Sequence, residues 1–314
     1  MINAVQSILS MFIMIFIGWM MTRKKFFNKE TSKLFSSLIF NLALPVLMFY
    51  SVSVRFTKQE LLHFRKGILV GFGVILTAFF IGVIILKIVS KDKKGNSILS
   101  TMFAQSNTIF LGLPVCIGVF GEKSISYVLL YYFANTTIFW TVGFNRVKKE
   151  CNVKEDNGII IGIIKKIFSP PLIGFLIALL FIIVGIKIPE FIMTTCKYIG
   201  GLTTPLCMFV IGIMIYYIDL KEHKFDIRYV VVLIGKFIVL PVIMIIVVQF
   251  IDIPSLLKKV FIIEASMPMM TQAAIVSRKC EIEEDSVPFL VGLSTALSLV
   301  ITPFYIYVIN ILGI

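Results

Sequence analysis

The chain has 314 residues, of which 58% are hydrophobic and 15% charged, with a mean hydropathy of +0.98 and a formal net charge of +13. A soluble domain carries about 25% charged residues, so this composition excludes an ordinary soluble fold and points to membrane lipid as the surroundings. The basic residues lie between apolar blocks and form no aromatic-laced patch, which excludes nucleic acid as a partner.

The apolar blocks run near 20 residues each. At 1.5 Å per residue, each fits a hydrocarbon core of about 30 Å. They predict an all-α polytopic membrane protein with ten transmembrane helices, at about 3–22, 33–52, 67–88, 97–120, 125–145, 169–186, 198–218, 229–250, 260–277 and 287–312. After the first block comes Arg23-Lys24-Lys25, so the N-terminus reads as a span and not as a cleavable leader. The second block holds a lone amide, Asn41, and the element Leu42-x-x-Pro45-x-x-Met48-Phe49.

The fourth block carries Gln105, Ser106, Asn107 and Thr108 at mid-depth, then Gly112 and Pro114. Proline lacks an amide proton and clashes with the carbonyl four residues back, so the helix is expected to break at Pro114. Hydrocarbon cannot satisfy backbone groups freed by a break, which survives only inside protein or beside a wet cavity. The fifth block contributes Asn135. Asn41 and Asn135 are the kind of lone amide that bonds a neighbouring helix. Tyr131, Tyr132, Trp140, Tyr216, Tyr217, Tyr305 and Tyr307 read as interfacial belt residues.

The polar stretch 148–157 is a linker of mixed charge, and Ile159–Ile167 a short amphipathic lead-in stopped by Pro170-Pro171. Pro189 to Lys197 extends the seventh block outward. That block contains Leu202-x-x-Pro205-x-x-Met208-Phe209, which repeats the second block's element at an offset of 160 residues. Five spans per copy is an odd number, so the second copy enters from the opposite side. The chain therefore divides into a first five-helix repeat (1–147), the linker, and an inverted second repeat (158–314). The ninth block holds the partner of the fourth: Glu264, Ser266, Pro268, Thr271 and Gln272. Two broken spans in corresponding positions of two halves mark a transport site.

Charge sets the expected orientation. Nineteen Lys and Arg fall in the odd-numbered loops and nine in the even-numbered ones, which puts the odd loops in the cytoplasm and both termini outside. The five cysteines show no metal-ligand spacing, and His63 and His223 stand apart from other ligands, so no metal or cofactor is expected. Two charges lie at membrane depth, Lys236 and Glu264. Lys236 either snorkels to the cytoplasmic interface, about 12 Å away along its helix, or does substrate, coupling or charge-pair work with Glu264. No catalytic constellation is present, so the chain is not read as an enzyme.

The run Asn107-Thr108-x-Phe110-Leu111-Gly112-Leu113-Pro114, the paired Leu-x-x-Pro-x-x-Met-Phe elements and Met267-Pro268 give the chain a resemblance to the auxin efflux carrier family, including its bacterial malate-permease-like members, over nearly its whole length. The resemblance implies a five-plus-five fold like that of bile-acid symporters and sodium/proton antiporters, with spans four and nine crossing as broken helices. It implies scaffold helices at 1–55 and 158–220 that also form a homodimer interface, and transport helices at 66–147 and 226–314. It implies elevator-type transport of a small organic anion across the cytoplasmic membrane. The plant exporters carry Asn-Pro-Asn at the crossover, whereas this chain has Ser106-Asn107-Thr108 and Ser266-Met267-Pro268, so only Asn107 carries over as a crossover amide. The candidate substrate residues are Ser106, Asn107, Thr108, Pro114, Asn135, Pro268, Thr271 and Gln272. An ion or solute channel, and a proton- or sodium-coupled symporter of another solute, stand as alternatives.

Overall fold

The computed structural model describes residues 2–55, 60–90, 94–151, 169–185, 188–217 and 226–314. The lead-in at 159–167, most of the 148–157 linker, the 158 boundary and His223 lie outside them. The described residues are helical and contain no strand. In chain order the helices are α1 (Ile2–Arg23), α2 (Lys29–Leu38), α3 (Leu44–Arg55), α4 (Glu60–Ser90), α5 (Asn96–Ala104), α6 (Leu113–Phe120), α7 (Ile125–Ile138) and α8 (Phe144–Glu150). They continue with α9 (Pro170–Val184), α10 (Glu190–Gly201), α11 (Thr203–Tyr216), α12 (Ile227–Ile234), α13 (Leu240–Phe250), α14 (Ser255–Ser266), α15 (Gln272–Cys280) and α16 (Ser286–Ile311).

Among the described residues, five helical stretches are long and apolar enough to cross a membrane: Lys29–Val54, Arg65–Ser90, Glu190–Tyr216, Ile227–Phe250 and Ser286–Ile311. Leu9–Arg23, Thr108–Phe120 and Pro170–Val184 are shorter apolar helices. Large apolar side chains face outward on many of them, including Phe191, Phe250 and Val300, each more than 70% exposed. In water such a surface would aggregate, whereas lipid tails accept it.

Wide π-type turns explain how the apolar helices tolerate proline. They occur at Ile39–Ala43, Thr108–Gly112, Phe139–Gly143 and Gly235–Val239. Three of the four end two residues before a proline: Pro45, Pro114 and Pro241. The extra residue in the turn relieves the ring's clash with the carbonyl four positions back. For Pro241 that carbonyl belongs to Phe237, and it is not wasted: the Tyr305 hydroxyl donates to it at 2.6 Å.

The expected break at Pro114 is therefore corrected. Pro114 sits in the first turn of α6, where its missing amide is no loss, and the π turn ahead of it keeps the chain helical. The chain departs from helix earlier, at Gln105–Asn107. The ninth span does break around its proline, over Met267–Met270. Tyr131, Tyr132 and Tyr305 are buried and do not belong to an interfacial belt, while Tyr216, Tyr217 and Tyr307 are exposed. Asn41 bonds its own helix, donating to the Ser37 carbonyl at 3.0 Å, and not a neighbour.

The chain forms two compact units. The first comprises Met1–Lys66, Ile109–Leu129 and Phe168–Tyr217. Its helices approach through small residues, as membrane packing without a hydrophobic driving force favours. On α1 and α11, a side chain at Gly18 would lie 2.8 Å from the Phe209 carbonyl, and one at Gly212 would strike the Ile15 backbone. An aromatic cluster of Phe27, Phe35 and Phe209, with centroids 5.4–6.5 Å apart, closes one end of this contact.

The second unit comprises Gly67–Thr108, Leu130–Ile167 and Ile218–Ile314. At one end, four polar turns are tied together. The Arg228 side chain, 2% exposed as a residue, donates to Glu283 at 2.6 Å, to Asp226 at 2.9 Å and to the Lys94 carbonyl at 2.9 Å. Glu150 accepts from the backbone amides of Gly95 and Ser97. These turns are the third, fifth, seventh and ninth loops of the sequence reading, so those odd-numbered loops share one face of the unit.

Candidate substrate site

The second unit brings the two broken helices together. Helix α5 ends at Ala104, and Gln105 turns extended, with φ −93° and ψ 134°. Helix α14 ends at Ser266, and Met267 does the same, with φ −66° and ψ 154°. The two extended segments pair as an isolated antiparallel bridge between Ser106 and Met269. The Asn107 amide donates to the Pro268 carbonyl at 2.7 Å. Pro268 thus supplies an acceptor at a position where its own missing amide is not needed. The Met269 amide is satisfied by Ser294 Oγ from α16, at 3.1 Å.

Asn135, on α7, braces the crossing. Its Oδ1 accepts from the Ser106 amide and its Nδ2 donates to the Ser106 carbonyl, both at 3.0 Å. The side chain thus replaces, for one residue, both hydrogen bonds the lost helix would have supplied.

Lys236 lies in the Gly235–Val239 turn and is fully buried. Its Nζ donates to Ser106 Oγ at 2.5 Å and to the Ala265 carbonyl at 2.9 Å. It does not snorkel. The C-terminal ends of α5 and α14 both arrive here, and helix C-termini carry partial negative charge that favours a cation. Glu264, near the end of α14, is also fully buried, and the Tyr131 hydroxyl lies 3.4 Å from Ser106 Oγ.

Of the candidates, Ser106, Asn107, Thr108, Asn135, Pro268, Lys236 and Glu264 are buried in this unit around the bridge. Thr108 opens the π turn after the break. Thr271 and Gln272 are half-buried at the start of α15, where the Thr271 hydroxyl donates to Gln272 Oε1 at 3.3 Å. Pro114 falls in the first unit. Among the residues at the bridge that were not sequence candidates are Gln105, Tyr131 and Ser294. Gln105 carried a signal, as a polar residue in an apolar block. Tyr131 and Ser294 carried none, since one looked like an interfacial aromatic and the other like an ordinary helix hydroxyl.

The family model described as a membrane transport protein matches residues 3–306. The chain belongs to this family. It is the auxin efflux carrier family of the sequence reading. An uncharacterized transporter of Methanocaldococcus jannaschii is 26% identical over 310 residues, covering 94% of this chain and 95% of the relative. An uncharacterized transporter of Methanothermobacter thermautotrophicus is 24% identical over 307 residues, covering 96% and 97%. A third, from Escherichia coli, is 23% identical over 224 residues, covering 70% and 69%.

Proposed function

We propose that this membrane transport protein is a secondary-active carrier of a small organic anion, a mono- or dicarboxylate. One observation carries the reading: two broken helices meet inside one unit with an ammonium, Lys236, held at their junction. A buried cation beside unwound backbone is a costly arrangement that membrane proteins keep for ion and substrate work. The start of α15, with Thr271 and Gln272, offers the positive end of a helix dipole to a carboxylate. Asn107 and Thr108 add neutral polar groups at the break after α5.

The mechanism is elevator-type alternating access, with the transport helices (66–147 and 226–314) moving against the scaffold (1–55 and 158–220); the division into two compact units follows this split except at Ile109–Leu129, which groups with the scaffold segments. The membrane is the cytoplasmic one, with the odd loops inside and both termini outside. A homodimer forms through the scaffold helices.

The purified protein in proteoliposomes should show saturable uptake of a carboxylate, and unlabelled substrate on the far side should accelerate exchange of label. Unsaturable flux, with currents at channel rates, would replace the carrier reading with that of a pore, which needs a continuous polar face through the membrane.

A further inference from the structure

Gln105 ends α5 with its backbone amide donating to the Thr101 carbonyl at 3.1 Å. Its side chain is fully buried, and neither Oε1 nor Nε2 meets a hydrogen-bond partner among the described residues. A carboxamide offers two donor protons and an acceptor oxygen. Burying all of them unpaired is the kind of exception that native structures keep for a reason. Its neighbours are engaged. Asn135 is used by the Ser106 backbone, Ser106 Oγ by Lys236, and Ser294 Oγ by Met269. Lys236 Nζ donates to Ser106 Oγ and to the Ala265 carbonyl.

We infer that Gln105 contacts the transported ligand and selects carboxylates that carry an adjacent hydrogen-bond donor, such as a hydroxyl. The inference rests on the organic-anion reading above. A carboxylate oxygen is an acceptor, suited to Gln105 Nε2. Gln105 Oε1 can only accept. A plain carboxylate leaves it buried and unpaired, whereas a hydroxy acid supplies both halves of the match. Sites built to bond a hydroxyl reject the analogue that lacks it far more strongly than apolar pockets sort ligands by size.

The test uses the full chain in lipid nanodiscs and three matched pairs: lactate with propionate, malate with succinate, and mandelate with phenylacetate. Calorimetry should show the hydroxylated member of the bound pair binding at least about tenfold more tightly. Gln105→Leu should bind both members alike. Without ligand, Gln105→Leu should melt at or above the parent temperature, because it removes an unpaired buried amide. Gln105→Met serves as a second variant of similar length.

Retained discrimination in both variants would overturn the assignment. So would ligand-free melting well below the parent in both, since the amide would then be structural. A parent that binds both members of a pair equally removes the Gln105 role but leaves the organic-anion reading standing. A parent that binds none of the six removes both.

Discussion

Lys236→Met should abolish transport and lower stability together. The ammonium holds Ser106 Oγ and the Ala265 carbonyl, one from each broken helix, and no methionine atom can donate to either. The change also removes a basic group from the unit in which Glu264 is fully buried. Orphaning the two buried acceptors costs about 1–3 kcal/mol each. Thermal melting in detergent should show a loss of that size, and uptake should fall to background. Lys236→Met with Glu264→Gln separates the two effects. Neutralising the carboxylate should recover part of the lost stability, while transport stays absent because the junction lacks its cation. Parental uptake by either variant would mean that Lys236 only fills space.

Asn135→Leu should have the largest purely structural effect. Asn135 makes two 3.0 Å bonds to a single backbone residue, and leucine, of similar size, makes neither. The Ser106 amide and carbonyl would both be left buried. At about 1–3 kcal/mol for each orphaned group, the expected loss is about 2–6 kcal/mol. Asn135→Asp keeps an acceptor for the Ser106 amide but gives up the donor to its carbonyl. It should fall between the parent and the leucine variant. Chemical or thermal unfolding of purified protein reads both, and a loss under about 1 kcal/mol for Asn135→Leu would show that the break holds without its brace.

The general architecture was legible because composition and block length reflect the solvent directly: 15% charged residues and apolar runs near 20 long fit only a bilayer. The pairing of the fourth and ninth blocks was legible for a similar reason. Polar residues at mid-membrane depth are costly, so Ser106, Asn107, Glu264 and Ser266 stood out against their neighbours. The position of the first break was misread because proline was taken as its cause. A proline rule sees only the ring's own clash, and the π turn at Thr108–Gly112 absorbs that clash without ending the helix. What ends α5 is the pairing of Ser106 with Met269, a contact between residues 163 positions apart. Local patterns carry no trace of such a partner. The same limit applies to Lys236. Its position along the helix allowed both snorkelling and burial, and the inward face of the Gly235–Val239 turn decided the matter. Tyr305 illustrates a third kind of gap, since its role depends on a carbonyl freed by Pro241, 64 positions earlier in the sequence.

The central claim is that a carboxylate binds where the two breaks meet, with Asn107 among its donors. Asn107 is 4% exposed, and its backbone is fixed to Pro268. Losing a hydrogen bond to a charged ligand costs about 1.5–3 kcal/mol, or roughly tenfold to hundredfold in affinity. The decisive measurement is the dissociation constant of the transported anion for the parent, Asn107→Ala and Asn41→Ala, each checked for folding by its melting temperature. Asn41 is exposed and bonds only its own helix, so its replacement should leave affinity unchanged. Asn107→Ala should remain folded and bind about tenfold to hundredfold more weakly. A folded Asn107→Ala that binds with parental affinity would contradict the account and move the site away from this crossing.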